Sequence, residues 1–143
     1  MYQFVIPIHH VNWSTRSVLE GISQKYKPKQ IYVVTSDHEI KIFKDKSNSW
    51  DIENLTLLDE DNFFLNKYGL TKKDIVSQIT QNKPNYSPGW LYQQIIKLGA
   101  SDIIDELEDV FLIWDADLLP VKSWPILDEK KEKFALLQDK SYG

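Results

Sequence analysis

Short apolar runs alternate along this chain with longer polar or amphipathic stretches, and that alternation predicts the elements. Residues 4–8 (Phe-Val-Ile-Pro-Ile), 30–35 (Gln-Ile-Tyr-Val-Val-Thr) and 55–58 (Leu-Thr-Leu-Leu) read as three strands, each followed by a polar segment. A fourth run, Val110-Phe111-Leu112-Ile113-Trp114, is apolar at five consecutive positions and enters Asp115-Ala116-Asp117 directly. Continuous apolar runs of this kind fit strands buried on both faces, as in a parallel sheet. A last strand is expected at 134–137, after Trp124-Pro125-Ile126-Leu127 and an Asp128-Glu129 turn.

Helical periodicity fills the intervals. From Ser14 or Thr15, with a hydroxyl available as cap, Val18, Leu19 and Ile22 give one apolar side, and Pro28 closes the connection. Strand, helix and strand within about thirty residues make a βαβ unit with parallel strands. Residues 40–43 fit a short helix or a strand equally, and 44–50 read as a polar loop. Phe63, Phe64 and Tyr68 suggest a helical turn closed by Gly69. Thr71 and Asp74 form a capping-box pattern ahead of Ile75, Val76 and Ile79, and 81–86 read as a loop. The clearest helix starts at Ser87-Pro88 and is expected to end at Gly99. Its core stripe is expected at Leu91, Ile95 and Leu98, leaving Trp90, Gln93, Gln94 and Lys97 on the other flanks. The expected architecture is α/β, a mostly parallel Rossmann-like sheet flanked by helices, in a single domain spanning 1–143.

Composition removes several function classes. The chain has 143 residues, enough for one domain with a core but not for two. A net charge of −4 offers no broad basic surface, so no nucleic-acid partner is expected. With no cysteine there is no disulfide, thiolate metal site or cysteine nucleophile, a usage that fits a cytoplasmic protein. No apolar stretch approaches the twenty or so residues of a membrane span.

The chemistry concentrates in Asp115-Ala116-Asp117. Two carboxylates about 5 to 6 Å apart repel by roughly 3 kcal/mol at an effective dielectric near 20. A divalent cation converts that penalty into affinity. Oxygen ligands with no neighbouring cysteine or histidine favour Mg²⁺ or Mn²⁺ over zinc. Such a cation keeps open positions for a diphosphate and neutralises charge on its oxygens. In open α/β sheets, ligands bind beyond the carboxyl ends of the strands, where these acids are expected. The bland reading is that the pattern merely caps a turn.

Residues 4–8, the helix segment Gly89-Trp90-Leu91-Tyr92-Gln93-Gln94-Ile95-Ile96-Lys97-Leu98 and Phe111-Leu112-Ile113-Trp114-Asp115-Ala116-Asp117 together resemble nucleotide-sugar-dependent glycosyltransferases of the GT-A fold. The nearest likeness is to a group of uncharacterised bacterial glycosyltransferases. The resemblance implies that Asp115 and Asp117 contact the ribose and the metal–diphosphate of a UDP- or GDP-linked sugar, with Asp117 as the direct ligand of Mn²⁺ or Mg²⁺. It also implies that Pro7, Ile8 and His9, with Thr35 and Asp37, border the base and ribose. Gly89, Trp90 and Gln94 would lie by the nucleotide or donor sugar. The acceptor is unspecified, a glycan being the natural class.

Several of these residues have plain alternatives. His9 and His10 fit loop histidines as well as ligands, and Asp37 fits a turn residue. Trp90 fits core packing or a stacking wall. Arg16 could reach a phosphate from the first helix, or stay solvated. The resemblance covers only the donor-binding half of a GT-A enzyme, because the chain ends at Gly143, soon after Asp117. A fragment, a truncated product or a partner chain supplying the acceptor half are the expected explanations. Two further functions compete: a non-catalytic nucleotide-binding domain, and a haloacid-dehalogenase-type phosphatase with Asp115 as nucleophile.

Overall fold

The run at residues 4–8 can bury both its faces only if strands flank it and helices cover it, and that is its situation in the computed structural model. The structure describes residues 1–120 and the short segments 127–128 and 133–134. Strand β1 (Gln3–Pro7) is buried along its whole length at the centre of the sheet. It pairs in parallel with β2 (Gln30–Thr35), which pairs in parallel with β3 (Leu55–Asp59). On its other side β1 pairs in parallel with β4 (Leu112–Ile113), so the order is β3-β2-β1-β4. This is the expected α/β, Rossmann-like arrangement. A separate pair, β5 (Leu127–Asp128) and β6 (Lys133–Phe134), is antiparallel. Of the strand expected at 134–137, only Phe134 is described; 124–126, Glu129 and 135–137 lie outside the described residues.

Side chains alternate across the sheet and build two cores. Phe4, Ile6, Ile8, Ile31 and Val33 face one way and meet Val18, Leu19 and Ile22 of helix α1 (Thr15–Tyr26) and Phe43 of α2 (Asp37–Lys46). Val5, Tyr32 and Val34 face the other way. There they meet Phe63 and Phe64, Ile75 and Val76 of α4 (Lys72–Asn82), and Tyr92, Ile96 and Ala100 of α5 (Pro88–Ile103). Between these, α3 (Leu65–Tyr68) is a single turn ended by Gly69 in the left-handed conformation, φ 67°. Among the described residues, no helix is long and apolar enough to cross a membrane.

Several boundaries differ from the sequence reading, each for a local reason. Residues 40–43 are helical: Ser36 accepts from the Glu39 N–H and starts α2, whose buried Ile40 and Phe43 carry it on to Lys46. The expected loop at 44–50 is thus the end of α2 followed by a 3-10 turn, Ser47–Ser49. The Ser14 side chain does not cap α1. Asn12 Oδ1 organises that start instead, accepting from the Ser14 N–H and hydroxyl at 2.9 and 2.7 Å. The capping box at Thr71 and Asp74 is formed as expected, and α4 runs into the expected loop as far as Asn82.

Two corrections bear on the site. Gly99 does not end α5, which continues to Ile103; a Cβ there would come within 2.8 Å of the Phe64 ring. The glycine lets helix and ring approach. The core stripe is Tyr92, Ile96 and Ala100 rather than Leu91, Ile95 and Leu98, and Leu98 is 84% exposed. The run 110–114 is not buried on both faces either. Leu112 and Trp114 turn into the core beneath α1, whereas Ile113 is 41% exposed; α5 packs over β1.

Candidate functional site

Chain order reverses at β1: the path moves to one side through β2 and β3, then returns to β1's other flank with β4. A parallel sheet opens a crevice at such a point, beyond the carboxyl ends of the two diverging strands. A cleft of about 460 Å³ lies there. Its first wall is the end of β1 and the adjoining loop, Pro7, Ile8, His9 and His10, with Asn12 and Thr15 at the start of α1. Its second wall is Trp90, Gln93, Gln94 and Lys97. These recur at the i, i+3, i+4 and i+7 positions of α5 and form the flank left over when Tyr92, Ile96 and Ala100 face the sheet. Asp115, Ala116 and Asp117 close the third side.

The acids are presented by a tight turn. The Leu118 N–H donates to the Asp115 carbonyl at 3.0 Å, and the Trp114 indole N–H donates to the Leu118 carbonyl at 2.6 Å. Trp114 itself is buried against Phe4 and Tyr26 at ring distances of 6.1 and 5.8 Å. Asp115 and Asp117 are both exposed. Lys97 Nζ donates to Asp115 Oδ1 at 2.7 Å.

The β1–α1 loop is pinned by a carboxylate on the neighbouring helix. Glu39 is buried and accepts the Val11 N–H at 2.9 Å through Oε2, while Oε1 lies 3.2 Å from His10 Nδ1. The Val11 N–H foremost, and His10 next to it, hold the Glu39 carboxyl below the ordinary glutamate range against the opposing effect of burial. The His9 and His10 rings lie 4.1 Å apart. Asn12 N–H donates to Thr15 Oγ1 at 2.9 Å, fixing the loop's far end.

Of the residues singled out from sequence, Pro7, Ile8, His9, Trp90, Gln94, Asp115 and Asp117 therefore line one cleft. Trp90 is not a core residue; its side chain is 55% exposed. Four others, Gly89, Asp37, Thr35 and Arg16, stand apart from the lining. Gly89 is in the first turn of α5 beside Trp90, with open space where a Cβ would be. Asp37 is in the first turn of α2 and pairs with Lys41 at 3.1 Å. Thr35 is wholly buried at the end of β2. Arg16 pairs with Glu20 along α1 at 2.8 Å. Lys97, Gln93, Asn12 and Thr15 join the lining without having been singled out, and Glu39 supports it from behind. The sequence places Lys97 and Gln93 off the expected stripe of Leu91, Ile95 and Leu98, without assigning them to a site. The partners of Glu39, 28 and 29 positions away, carry no local signal.

The donor set bears on what ion fits. Among the described residues, no group of three or more His, Cys, Asp or Glu side chains is placed to hold a metal by itself. Two carboxylates on one turn suit a Mg²⁺-type ion, which takes one or two carboxylates and completes its shell with phosphate oxygens and water. Asp115 and Asp117 fit that role and would not make a closed zinc site.

A family model described as a family of unknown function (DUF6492) matches residues 16–138. The chain belongs to this family. No curated protein and no solved structure matches the chain. The DUF6492 match takes in the α5 wall and the Asp115–Asp117 turn, while Pro7 to Thr15, the β1 wall, precede it. Membership in DUF6492 names no reaction, so a functional reading rests on the chemistry of the cleft.

Proposed function

We propose that this domain binds the donor of a glycosyltransferase reaction, a nucleoside-diphosphate sugar, through a Mn²⁺ or Mg²⁺ ion held by Asp117 and Asp115. The observation that carries this reading is convergence at the switch point. Two carboxylates on one turn, the loop after β1 and the polar flank of α5 meet in a single cleft. A cation between the acids and a diphosphate offsets the charge of both, and the cleft's size is that of a small-molecule site. The exposed Trp90 ring offers a face for a base or a sugar. His9 and Ile8 border the same space at the end of β1.

In this reading the domain supplies donor binding for transfer to an acceptor such as a glycan in the cytoplasm. Titration with UDP and with GDP, each with and without Mn²⁺, tests it. Nucleotide binding that depends on the cation and is lost in Asp117→Asn is the expected result. Failure of both nucleotides to bind in the presence of Mn²⁺ would sink the proposal.

A further inference from the structure

We propose that Lys97 couples cation binding to nucleotide binding by exchanging partners. In the ligand-free cleft its ammonium neutralises Asp115. When a nucleoside diphosphate enters, the ammonium moves to a phosphate oxygen and releases the Asp115 carboxylate for the cation. The inference rests on the metal–diphosphate reading of this cleft.

The geometry points to exchange rather than to a fixed brace. Lys97 Nζ donates to Asp115 Oδ1 at 2.7 Å, so one of the two Asp115 oxygens is already engaged by a cation. With Lys97 counted, the formal charge of the Asp115, Asp117 and Lys97 group is −1 instead of −2, a weak attractor for a divalent ion alone. Asp115 is 61% exposed, which makes the ion pair cheap to open. Lys97 is 20% exposed and lines the cleft, so its head stays within the site when it turns. A lysine ammonium on a flexible stem with three rotatable donors suits such a move better than a planar guanidinium.

Among the described residues that line the cleft, Lys97 alone carries an ammonium or guanidinium. Arg16 is engaged by Glu20, and His10 by Glu39. Among the described lining residues, a diphosphate arriving with a cation thus finds one ammonium, and it is the group paired with Asp115. Each ligand then improves the site for the other, and the coupling must be reciprocal.

Calorimetric titration of the full chain tests this without any transfer reaction. Mn²⁺ is titrated alone and with saturating UDP or GDP, whichever binds, into wild type, Lys97→Met and Lys97→Arg. Circular dichroism confirms that each variant is folded. In wild type, nucleotide is expected to raise Mn²⁺ affinity by about tenfold or more. Lys97→Met should bind Mn²⁺ alone more tightly than wild type, bind nucleotide more weakly in its presence, and lose most of the coupling. Lys97→Arg, which keeps the charge, should retain much of it. If cation-dependent nucleotide binding persists in wild type while Lys97→Met leaves the affinities and their coupling unchanged, the exchange is overturned and the donor-site reading stands. Absence of nucleotide binding with Mn²⁺ present overturns both.

Discussion

The Trp114 indole and the Leu118 carbonyl are hydrogen-bonded at 2.6 Å across the turn that presents Asp115 and Asp117. The same indole is edge-on to Phe4 of β1 and Tyr26 of α1. Exposed aspartates on a surface turn have little packing of their own. Trp114 supplies it from beneath, transmitting the order of the core to a segment that must stay open to solvent.

Trp114→Phe therefore removes the hydrogen bond and keeps only part of the ring packing. The Leu118 carbonyl loses its indole donor, and the smaller ring leaves part of the core unfilled, costing about 1–3 kcal/mol of stability. Cation-dependent nucleotide affinity should fall with it, because the turn loosens. Urea unfolding and UDP titration read the two effects. Unchanged binding with lowered stability would mean that the turn keeps its shape without the indole.

Glu39 plays the corresponding part for the β1 wall. Glu39→Ala leaves the Val11 N–H without its acceptor, at a cost of about 1–3 kcal/mol. Glu39→Gln keeps an acceptor but not the charge, and should cost less. The folded carboxyl lies below its ordinary value, with the Val11 N–H as the main cause and the adjacent His10 as a lesser one. Its stabilisation is thus fully present above the ordinary glutamate range and is lost as pH falls through the lowered folded value. The stability gap between wild type and Glu39→Gln should be widest at neutral pH and close in acid below about 4.3. Urea midpoints measured across that range check the sign; a gap that widens in acid would contradict it.

The register of α5 gives a sharper contrast. Ile96→Ala should cost about 2–5 kcal/mol, since Ile96 is buried against the sheet. Leu98→Gln should stay within about 0.5 kcal/mol of wild type, because Leu98 is exposed. Thermal melts of the two variants decide it. The opposite ranking would restore the stripe through Leu91, Ile95 and Leu98.

That contrast also marks what the amino-acid pattern could carry. The strands β1 to β3 were legible because each is an apolar run bounded by polar residues, and the Thr71 cap because its partner is three residues away. In α5 the periodicity was ambiguous: Leu91, Ile95 and Leu98 keep helical spacing as well as Tyr92, Ile96 and Ala100 do. The choice fell to tertiary fit. The Phe64 ring sits over Gly99, and the Tyr92 hydroxyl donates to the Glu60 carbonyl. Both contacts join segments about thirty residues apart. For the same reason Asp115 and Asp117 were visible as a motif, whereas the Lys97 partner of Asp115, 18 positions earlier on another element, was not.

The two aspartates should not behave alike, although they sit on one turn and both are exposed. Neutralising either one removes a single negative charge from the cleft. Asp117→Asn leaves Lys97 bound to Asp115, so the site loses its uncommitted carboxylate and gains nothing. Asp115→Asn loses a carboxylate but sets Lys97 free, and a free ammonium at this position attracts phosphate. In EDTA, UDP or GDP should therefore bind Asp115→Asn more tightly than wild type, with no such gain in Asp117→Asn. With Mn²⁺ present both variants should bind more weakly than wild type, Asp117→Asn the more so. Stability should move by no more than about 0.5 kcal/mol in either, because both side chains are solvated and an exposed ion pair contributes little. Parallel titrations in EDTA and in Mn²⁺ separate the cases, and identical profiles for the two variants would show that the Lys97–Asp115 pair has no part in ligand binding.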